Sequence, residues 1–336
     1  MAENAEAMQM VRQPLDLSAW IEQELNLKVD GWQNLAGDAS GRRYFRLWTQ
    51  DRSWIAMLAP PPENPKAFVA VAELLRGAGV RVPAVYARNL ERGWLLLEDF
   101  GDLTCFQALR AGWREELYRA ALAQLARLQS LDPQTVELPR YDEGLLRREL
   151  EIFRTWLAEA WLELAVPEAV WGEAVEVLVD SALAQPVVAV HRDFHSRNLM
   201  VLAEGGVGVL DFQDAVVGPA TYDLVSLLRD CYLAWPKETV SRWCEGYRLQ
   251  LAKQGVDVSP QTWRKWFDRM GAQRHLKAAG IFARLWLRDG KGGYLKDIPR
   301  TLGYVVEVAD RDAELKALGE FLADRVLPQV LRRLAR

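Results

Sequence analysis

The stretch that decides the fold runs from Val187 to Asp214 and reads VVAVHRDFHSRNLMVLAEGGVGVLDFQD. Its apolar runs alternate with polar clusters and predict a buried strand, a tight loop and the two arms of a hairpin, at 187–190, 191–198, 199–202 and 207–210. Polar side chains at the edges of these runs are Asp193, Asn198 and Asp211. Such residues either cap turns or do chemical work, and three oxygen-bearing side chains around one hairpin favour chemical work.

The chemistry that uses such a set is phosphoryl transfer. Mg²⁺ binds oxygen ligands and keeps water and phosphate oxygens in its shell, so Asn198 and Asp211 suffice from the protein. A further carboxylate must accept the proton of the attacking hydroxyl, and Asp193 lies in the same loop. The spacing His-Arg-Asp-x-x-x-x-Asn, with an Asp-Phe dipeptide downstream, is that of a kinase catalytic loop and its metal-binding motif.

The loop His191-Arg192-Asp193-Phe194-His195-Ser196-Arg197-Asn198 resembles that of the aminoglycoside phosphotransferase and choline kinase superfamily, small-molecule relatives of protein kinases. A histidine stands two places after Asp193, where protein kinases carry lysine, and Asp211-Phe212-Gln213 stands where they carry Asp-Phe-Gly. Within the superfamily, the segments HRDFHSRNLM, DAVVGPATYDLVSLLRDCY and RHLKAAGIFARL are similar to bacterial kinases that act on the anomeric hydroxyl of N-acetylmuramic acid and N-acetylglucosamine. The resemblance extends over nearly the whole chain.

This resemblance implies an α+β, protein-kinase-like fold of two lobes. A small N-terminal nucleotide-binding lobe with an antiparallel sheet (1–97) would precede a hinge (98–102) and a mostly helical catalytic and substrate-binding lobe (103–336). ATP and Mg²⁺ would be the cofactors and a small sugar the substrate, with no nucleic acid and no membrane as partner. Asp193 would receive the proton of the anomeric hydroxyl as that oxygen attacks the γ-phosphorus, giving a sugar 1-phosphate in peptidoglycan recycling.

A turn of mostly small residues, Gly37-Asp38-Ala39-Ser40-Gly41, follows the first of five strands predicted in the N-terminal part, at 32–35, 43–48, 54–58, 85–88 and 94–97. Its backbone amides suit a nucleotide's phosphates. Two glycines in a hairpin turn usually mark only a turn, but upstream of a kinase catalytic loop this one is the natural phosphate-covering loop. A short helix capped by Ser18 and ending at Leu27 is predicted ahead of these strands.

The third predicted strand departs from the kinase pattern. Protein kinases carry a lysine there for the α- and β-phosphates, whereas this chain has Met57. Glu73, on a helix predicted over 65–76, is as well explained as a solvated residue as by a role in the site. The phosphate charge must then be met by metal, loop amides or an arginine, and Arg43 and Arg46 are the candidates.

The inter-lobe hinge is predicted at Glu98-Asp99-Phe100-Gly101-Asp102, directly after an apolar strand. Gly101 permits a bend there. In the family, backbone N–H and C=O groups of this segment pair with the adenine edge, which makes Leu97, Glu98, Asp99 and Phe100 the adenine-binding candidates. A strand-ending turn without function would have the same sequence character.

From Leu103 onward the pattern is mostly helical, with amphipathic helices predicted at 113–131, 145–161, 170–183 and 222–234. As in the family, Asp223 would hold the catalytic loop as a buried acceptor. His191 is expected to orient that loop, and His195 to be a packed polar residue. Arg229 and Asp230, later on the last of these helices, either face the acceptor or form a surface ion pair.

The segment 259–300 bears on the acceptor. It carries ten basic residues (Arg264, Lys265, Arg269, Arg274, Lys277, Arg284, Arg288, Lys291, Lys296, Arg300) against three acids (Asp268, Asp289, Asp297). A pocket for a polycationic aminoglycoside or for choline needs carboxylates and aromatic faces, so this excess favours an anionic acceptor, although a solvated basic helix face explains it equally well. The predicted acceptor contacts are Asp193, Arg197, Asp230, Arg274, His275 and Lys277.

Composition sets the remaining bounds. The 336 residues suffice for a two-lobed enzyme, and no apolar run reaches the roughly 18 residues of a membrane span. Three cysteines without CxxC spacing argue for reduced thiols, and a net charge of −4 gives no case for nucleic-acid binding. The N-terminal residues carry acids and no apolar core of a signal peptide, so we expect a cytoplasmic monomer.

Two other functions stay open at this point. The chain could phosphorylate an aminoglycoside or another small alcohol. With Met57 at the lysine position it could also be a nucleotide-binding pseudokinase, although retention of Asp193, Asn198 and Asp211 argues against a degenerate site.

Overall fold

A five-stranded antiparallel sheet forms the N-terminal part of the computed structural model, which describes residues 15–26, 28–35, 41–50, 52–112 and 115–335. The strand order is β1-β2-β3-β5-β4. The strands are Gly31–Leu35 (β1), Arg43–Thr49 (β2), Arg52–Leu58 (β3), Val85–Asn89 (β4) and Trp94–Glu98 (β5). All five predicted strands are confirmed to within two residues at each end.

The outer face of this sheet is covered by helix α1, Leu15–Leu25. Leu17 and Ile21, one turn apart, are fully buried in a small cluster with Phe45 and Leu47 of β2. Ser18 therefore lies inside the helix, and its prediction as a cap is wrong because the apolar stripe already begins one residue earlier. Leu27, the predicted end, lies outside the described residues.

The inner face of the sheet looks toward the rest of the molecule. Tyr44 and Arg46 on β2 pair with Met57 and Ile55 on β3 across the ladder, so alternate residues of both strands share this face. Helix α2, Pro65–Gly77, packs beside it and begins at Asn64, whose side chain accepts a hydrogen bond from the Ala67 nitrogen.

The chain around the decisive stretch forms two small antiparallel ribbons. β6 (Val187–Val190) pairs with β9 (Val216–Pro219), and β7 (Leu199–Val201) pairs with β8 (Val207–Val209). The predicted strand and hairpin are confirmed. Because β6 pairs with β9, the two ends of this segment lie side by side. The polar loop after β6 and the residues after β8 therefore lie close together.

Beyond the sheet the described chain is mostly helical. The α-helices are Cys105–Ala111 (α3), Glu115–Gln129 (α4), Glu143–Ile152 (α5), Glu168–Leu183 (α6), Tyr222–Leu228 (α7), Lys237–Ala252 (α8), Pro260–Asp289 (α9), Ile298–Ala309 (α10), Lys316–Phe321 (α11) and Leu327–Leu334 (α12). The helix predicted at 145–161 is α5 continued by a π-helix, Phe153–Trp161. Residue 113, the predicted start of α4, lies outside the described part.

The long helix α9 crosses the junction of α5 and the π-helix at very short range. A Cβ atom at Gly280 would lie 2.5 Å from the Ile152 carbonyl oxygen, so only glycine permits this approach. The crossing fixes α9 beside the catalytic loop, and the side chains of its middle turns are buried.

The helix predicted at 222–234 is wrong in length, because α7 ends at Leu228. Arg229 has φ −119° and ψ 55°, which is not helical. The carboxylate of Asp230 then accepts a hydrogen bond from the Tyr232 nitrogen, a local turn that replaces helix continuation.

The cysteines Cys105, Cys231 and Cys244 are buried and form no disulfide. Burial raises the thiol pKa of Cys105 and Cys244 to about 12. Among the helices of the described ranges, none combines the length and the hydrophobicity needed to cross a membrane.

Candidate active site

The catalytic loop, residues 191–198, connects β6 to β7. Asp223 of α7 holds the start of this loop by hydrogen bonds. The two carboxylate oxygens of Asp223 accept hydrogen bonds from the backbone nitrogens of His191 (2.6 Å) and Arg192 (3.0 Å). Arg192 has φ +79°, an unfavourable conformation for a side chain of its size. Fully buried Asp223 thus fixes a strained turn, and burial raises its own pKa to about 6.

Asp230 braces the other end of the loop. Its Oδ2 accepts hydrogen bonds from the Ser196 nitrogen (3.0 Å) and hydroxyl (2.5 Å), and its Oδ1 accepts one from the Tyr232 nitrogen (2.7 Å). Asp230 is 0% exposed. The prediction that it contacts the acceptor is not supported, because its carboxylate is enclosed and occupied by the loop itself.

Asp193 lies between these two supports and is only partly buried. Its backbone nitrogen donates to Nδ1 of His191 (3.2 Å), which ties the loop histidine to the turn. Burial opposes ionisation of the Asp193 carboxyl, but Lys277, His195 and Arg274 nearby hold its pKa below the usual range. The side chain is therefore an anion with an exposed edge, as a proton acceptor or orienting group requires.

Glu149 on α5 pairs with two cations near Asp193, Lys277 and Arg192. Glu149 forms ion pairs with Lys277 (2.8 Å) and with Arg192 (2.5 Å), and its second oxygen accepts from the Tyr141 hydroxyl. Lys277 also donates to the hydroxyl of Tyr222 (3.0 Å). Burial disfavours the charged Glu149 carboxylate, yet Lys277 and Arg192 hold its pKa below the usual range.

Asn198 and Asp211 meet where the catalytic loop and β8 end. Nδ2 of Asn198 lies 3.3 Å from Oδ2 of Asp211 and 3.0 Å from the carbonyl oxygen of Asp193. Since these contacts use the amide nitrogen, Oδ1 of Asn198 is the atom available to a cation. Asp211 has φ +62°, a strained conformation that Gln213 supports by donating to Oδ1 (2.8 Å). One amide oxygen and one carboxylate side by side fit Mg²⁺, which takes its remaining ligands from water and phosphate.

These two residues line a cavity of about 270 Å³ between the sheet and the catalytic loop. Its apolar end is formed by Ile55, Leu97 and Phe100, and its polar end by Asn198 and Asp211. The arrangement suits a molecule with a flat apolar ring at one end and anionic groups at the other.

The charged side chains of the predicted hinge are paired with arginines of the protein. Glu98 forms a bidentate pair with Arg81, with both contacts at 2.7 Å, and its backbone nitrogen donates to the Ala84 carbonyl. Asp99 is held by Arg46. The groups left for adenine are therefore backbone atoms further along, near Phe100.

Of the two predicted phosphate-binding arginines, Arg46 lines the cavity, but its guanidinium is already bound by hinge residues. The Arg46 guanidinium is bound by Asp99 (2.6 and 3.0 Å), by Asp102 (2.6 Å) and by the Gly101 carbonyl, so it clamps β2 to the hinge. Arg43 has the opposite strand parity and stacks over the Phe45 ring on the outer face. Strand register, which the sequence leaves open, decides which face of the sheet each of these two arginines occupies.

The candidate phosphate loop is described only at its end. Gly37, Asp38, Ala39 and Ser40 lie outside the described residues. The Gly41 nitrogen donates to Oε1 of Glu63 (3.0 Å), and Arg42 pairs with the same carboxylate. Sequence reasoning did not predict the Arg42–Glu63 pair or the role of Glu149, because these pairings join segments far apart in the chain. The signal available in the sequence for a role of Arg42 was its closeness to two other arginines, Arg43 and Arg46.

The basic segment on α9 divides by helix face. Arg274 and Lys277, three residues apart, are buried and act on Asp193, whereas His275 stacks on Tyr304 (4.8 Å) and its Nε2 contacts the Arg229 carbonyl (2.7 Å). Others form ion pairs elsewhere: Arg264 with Asp268, Lys265 with Glu314, and Arg269 with Asp312. Only part of the excess positive charge therefore faces the site.

Two further residues of the catalytic loop, Arg197 and His195, pack on Tyr232. The Arg197 guanidinium stacks on the Tyr232 ring at 3.6 Å, with Phe106 and Tyr294 at 5.0 and 5.5 Å. His195 contacts the same Tyr232 ring edge-on. Burial lowers the pKa of His195 below its usual value.

A cavity of about 270 Å³, a metal-compatible Asn–Asp pair and an aspartate on a braced loop are the features expected of a phosphotransferase. The profile of the family described as "Phosphotransferase enzyme family" matches residues 31–266. The chain belongs to this family.

Relatives match over most of the chain. The N-acetylmuramate/N-acetylglucosamine kinase of Pseudomonas putida is 42% identical over 324 residues, which cover 92% of this chain and 95% of that protein. A protein of the same name from Neisseria meningitidis serogroup B is 40% identical over 302 residues, covering 87% and 89%.

Solved structures share the fold at low identity. Choline kinase LicA from Streptococcus pneumoniae superposes with a TM-score of 0.62 at 14% identity, covering 87% of this chain and 99% of that chain. ADP-bound aminoglycoside phosphotransferase APH(2'')-Ib gives a TM-score of 0.59 at 14% identity, covering 88% and 99%. The predicted α+β, protein-kinase-like fold is thereby confirmed.

Proposed function

We propose that this phosphotransferase transfers the γ-phosphoryl group of ATP to the anomeric hydroxyl of an amino sugar, N-acetylmuramic acid or N-acetylglucosamine. The observation that carries the proposal is the pair of relatives above, which bear that name and match at 40–42% identity nearly end to end. The grouping of Asp193, Asn198 and Asp211 around one hairpin supports the proposal.

Asp193 is proposed as the residue that receives the proton of the attacking hydroxyl. Its carboxylate is ionised, partly exposed and fixed by the braced loop. The sugar oxygen forms a bond to the γ-phosphorus, the bond from that phosphorus to the bridging oxygen of ADP breaks, and the proton passes to Asp193. An anomeric hydroxyl is more acidic than an ordinary alcohol, so orientation by Asp193 contributes along with proton acceptance.

Asn198 and Asp211 are proposed to hold Mg²⁺ through Oδ1 and the carboxylate. When bound, the ion neutralises charge on the phosphate oxygens and so favours transfer. Nδ2 of Asn198 contacts both the Asp193 carbonyl and the Asp211 carboxylate, so the loop that carries Asp193 also places one proposed metal ligand beside the other.

The adenine ring is proposed to lie at the apolar end of the cavity, between Ile55 and Leu97, with its edge against backbone near Phe100. This supports division of the chain into a nucleotide-binding lobe (1–97), a hinge (98–102) and a catalytic lobe (103–336). The Arg46 clamp on Asp99 and Asp102 would then set the angle between the sheet and the hinge.

The acceptor is proposed to bind beside Asp193 against Arg274, Lys277 and Arg197. Arg274 and Lys277, which act on the Asp193 carboxylate, and Arg197 on the same loop disfavour a polycationic aminoglycoside and suit a sugar with a carboxylate, such as the lactyl group of N-acetylmuramic acid.

A coupled assay of ADP release with four acceptors tests the proposal: N-acetylmuramic acid, N-acetylglucosamine, kanamycin and choline. We expect turnover with one or both amino sugars and none with kanamycin or choline. Turnover with kanamycin or choline alone would move the enzyme to another acceptor class. Nucleotide binding without sugar-dependent ADP release would make it a pseudokinase.

A further inference from the structure

The strand position at which protein kinases carry a phosphate-binding lysine is apolar here. Met57 of β3 is 0% exposed and lies in the hydrophobic core, with Tyr44 and Leu95 as its ladder partners. Arg43 lies on the outer face and Arg46 is bound to the hinge. The question is which cation of the sheet meets the nucleotide's phosphates.

Arg42 lies at the start of β2, directly after the candidate phosphate loop. Its Nε atom pairs with Oε2 of Glu63 at 2.8 Å, and the two side chains are only 11% and 14% exposed. Oε1 of the same Glu63 accepts the Gly41 nitrogen at 3.0 Å. One carboxylate therefore fixes both the last residue of the loop and the guanidinium that follows it.

Arg42 is connected to the nucleotide cavity through Tyr44, one of the cavity's lining residues, to which it hydrogen-bonds. The negative charge of Asp214, which closely follows the proposed metal ligand Asp211, also stabilises the Arg42 cation. Burial disfavours the cation, but Tyr44 and Glu63 keep the pKa of Arg42 above its usual range. A planar guanidinium with five N–H donors can bind a carboxylate on one edge and phosphate oxygens on another.

We propose that Arg42 is the phosphate-binding cation that replaces the strand lysine, and that Glu63 is its positioning residue. In protein kinases a helix glutamate orients the strand lysine. Here the glutamate comes from the loop before α2, whereas Glu73 of α2 pairs with Arg88 on the surface. The inference rests on the proposed function in one respect, that ATP is the phosphoryl donor.

Calorimetric titration with AMP, ADP and a non-hydrolysable ATP analogue, in the presence of Mg²⁺, tests the proposal on the full chain. Arg42→Ala should weaken binding of ADP and the analogue roughly tenfold to hundredfold, the scale of a charge-assisted phosphate contact, and leave AMP affinity within about threefold. Arg43→Ala, one residue away on the outer face, is the matched control and should bind all three ligands as the wild type does.

Glu63 is tested by a double-mutant cycle. Glu63→Gln should weaken ADP binding by a smaller factor, and Arg42→Ala/Glu63→Gln should be no weaker than Arg42→Ala alone, because Glu63 acts through Arg42. If the losses of ADP affinity in the two single variants add up in the double variant, Glu63 acts independently of Arg42 and only supports the loop.

Retained AMP affinity shows that a variant is folded, and Arg42→Gln substitutes for Arg42→Ala if the alanine variant does not fold. Wild-type affinity for ADP in either folded variant would overturn the proposal. A failure of the proposed function looks different, because the wild type would then bind no ATP analogue or release no ADP with an amino sugar.

Discussion

The Asp223 carboxylate lies 2.6 Å from the backbone nitrogen of His191, across 32 residues of sequence. Together with the bond to the Arg192 nitrogen, this contact ties helix α7 to the start of the loop 191–198. The position of Asp193 therefore depends on a residue that does not itself face the cavity.

Asp223→Asn should lower both activity and stability. The substituted amide presents an NH₂ group to one of the two backbone N–H donors, which leaves a buried donor unsatisfied at a cost of about 1–3 kcal/mol. We expect a lower kcat with the KM for ATP nearly unchanged, since the nucleotide cavity lies above the loop. Steady-state kinetics and urea unfolding measure both effects, and a wild-type kcat in the folded variant would contradict the role of Asp223.

The raised pKa of Asp223 makes a separate prediction about pH. The group ionises near pH 4 in the unfolded chain but at about 6 in the folded one, so its contribution favours folding below pH 4 and is lost as pH rises toward 6. The contribution amounts to about 2–3 kcal/mol. The unfolding free energy of Asp223→Asn minus that of the wild type should therefore rise by this amount between pH 4 and pH 7, and a constant difference would contradict it.

Asp193→Asn should lower turnover on the order of 10²–10⁴-fold, the usual scale for a positioned base. The size and shape of the side chain are kept, so affinity for an ATP analogue should stay close to that of the wild type. Rapid-quench or coupled kinetics with calorimetry separates the two quantities. Turnover near the wild-type value would remove Asp193 from the mechanism.

Lys277→Met should shift the pH dependence of kcat/KM. Lys277 is the strongest of the charges that lower the pKa of Asp193, so its removal raises that pKa and moves the acid limb of the profile to higher pH. Lys265→Met, on an exposed turn of the same helix, is the control and should leave the limb in place. If the acid limb of the kcat/KM profile does not move in the folded Lys277→Met variant, a group other than Asp193 controls that limb.

The sequence predicts most of this site because its polar residues are close together in the chain. Asp193, Asn198 and Asp211 lie within 19 residues, and their spacing predicts a shared site that the structure brings together around one hairpin. The alternating apolar runs likewise place β6, β7 and β8 correctly, because strand periodicity is a local property.

What the sequence does not predict depends on long-range pairing. Arg43 and Arg46 differ by three positions, so strand parity sends them to opposite faces, and only the ladder shows which one faces inward. Asp230 looks like a helix residue until Ser196 meets it across 34 positions. Glu149 has the local sequence character of a surface charge, and only the packing of α5 on α9 buries it beside Lys277.

The most direct measurement of the central claim is phosphorus NMR of the product formed from ATP, Mg²⁺ and N-acetylmuramic acid or N-acetylglucosamine. The account predicts a sugar 1-phosphate whose phosphorus couples to the anomeric proton, no product from the 1-O-methyl glycosides, and loss of the signal with Asp193→Asn. Phosphorylation of a 1-O-methyl glycoside, or a phosphate on any other hydroxyl, would contradict it.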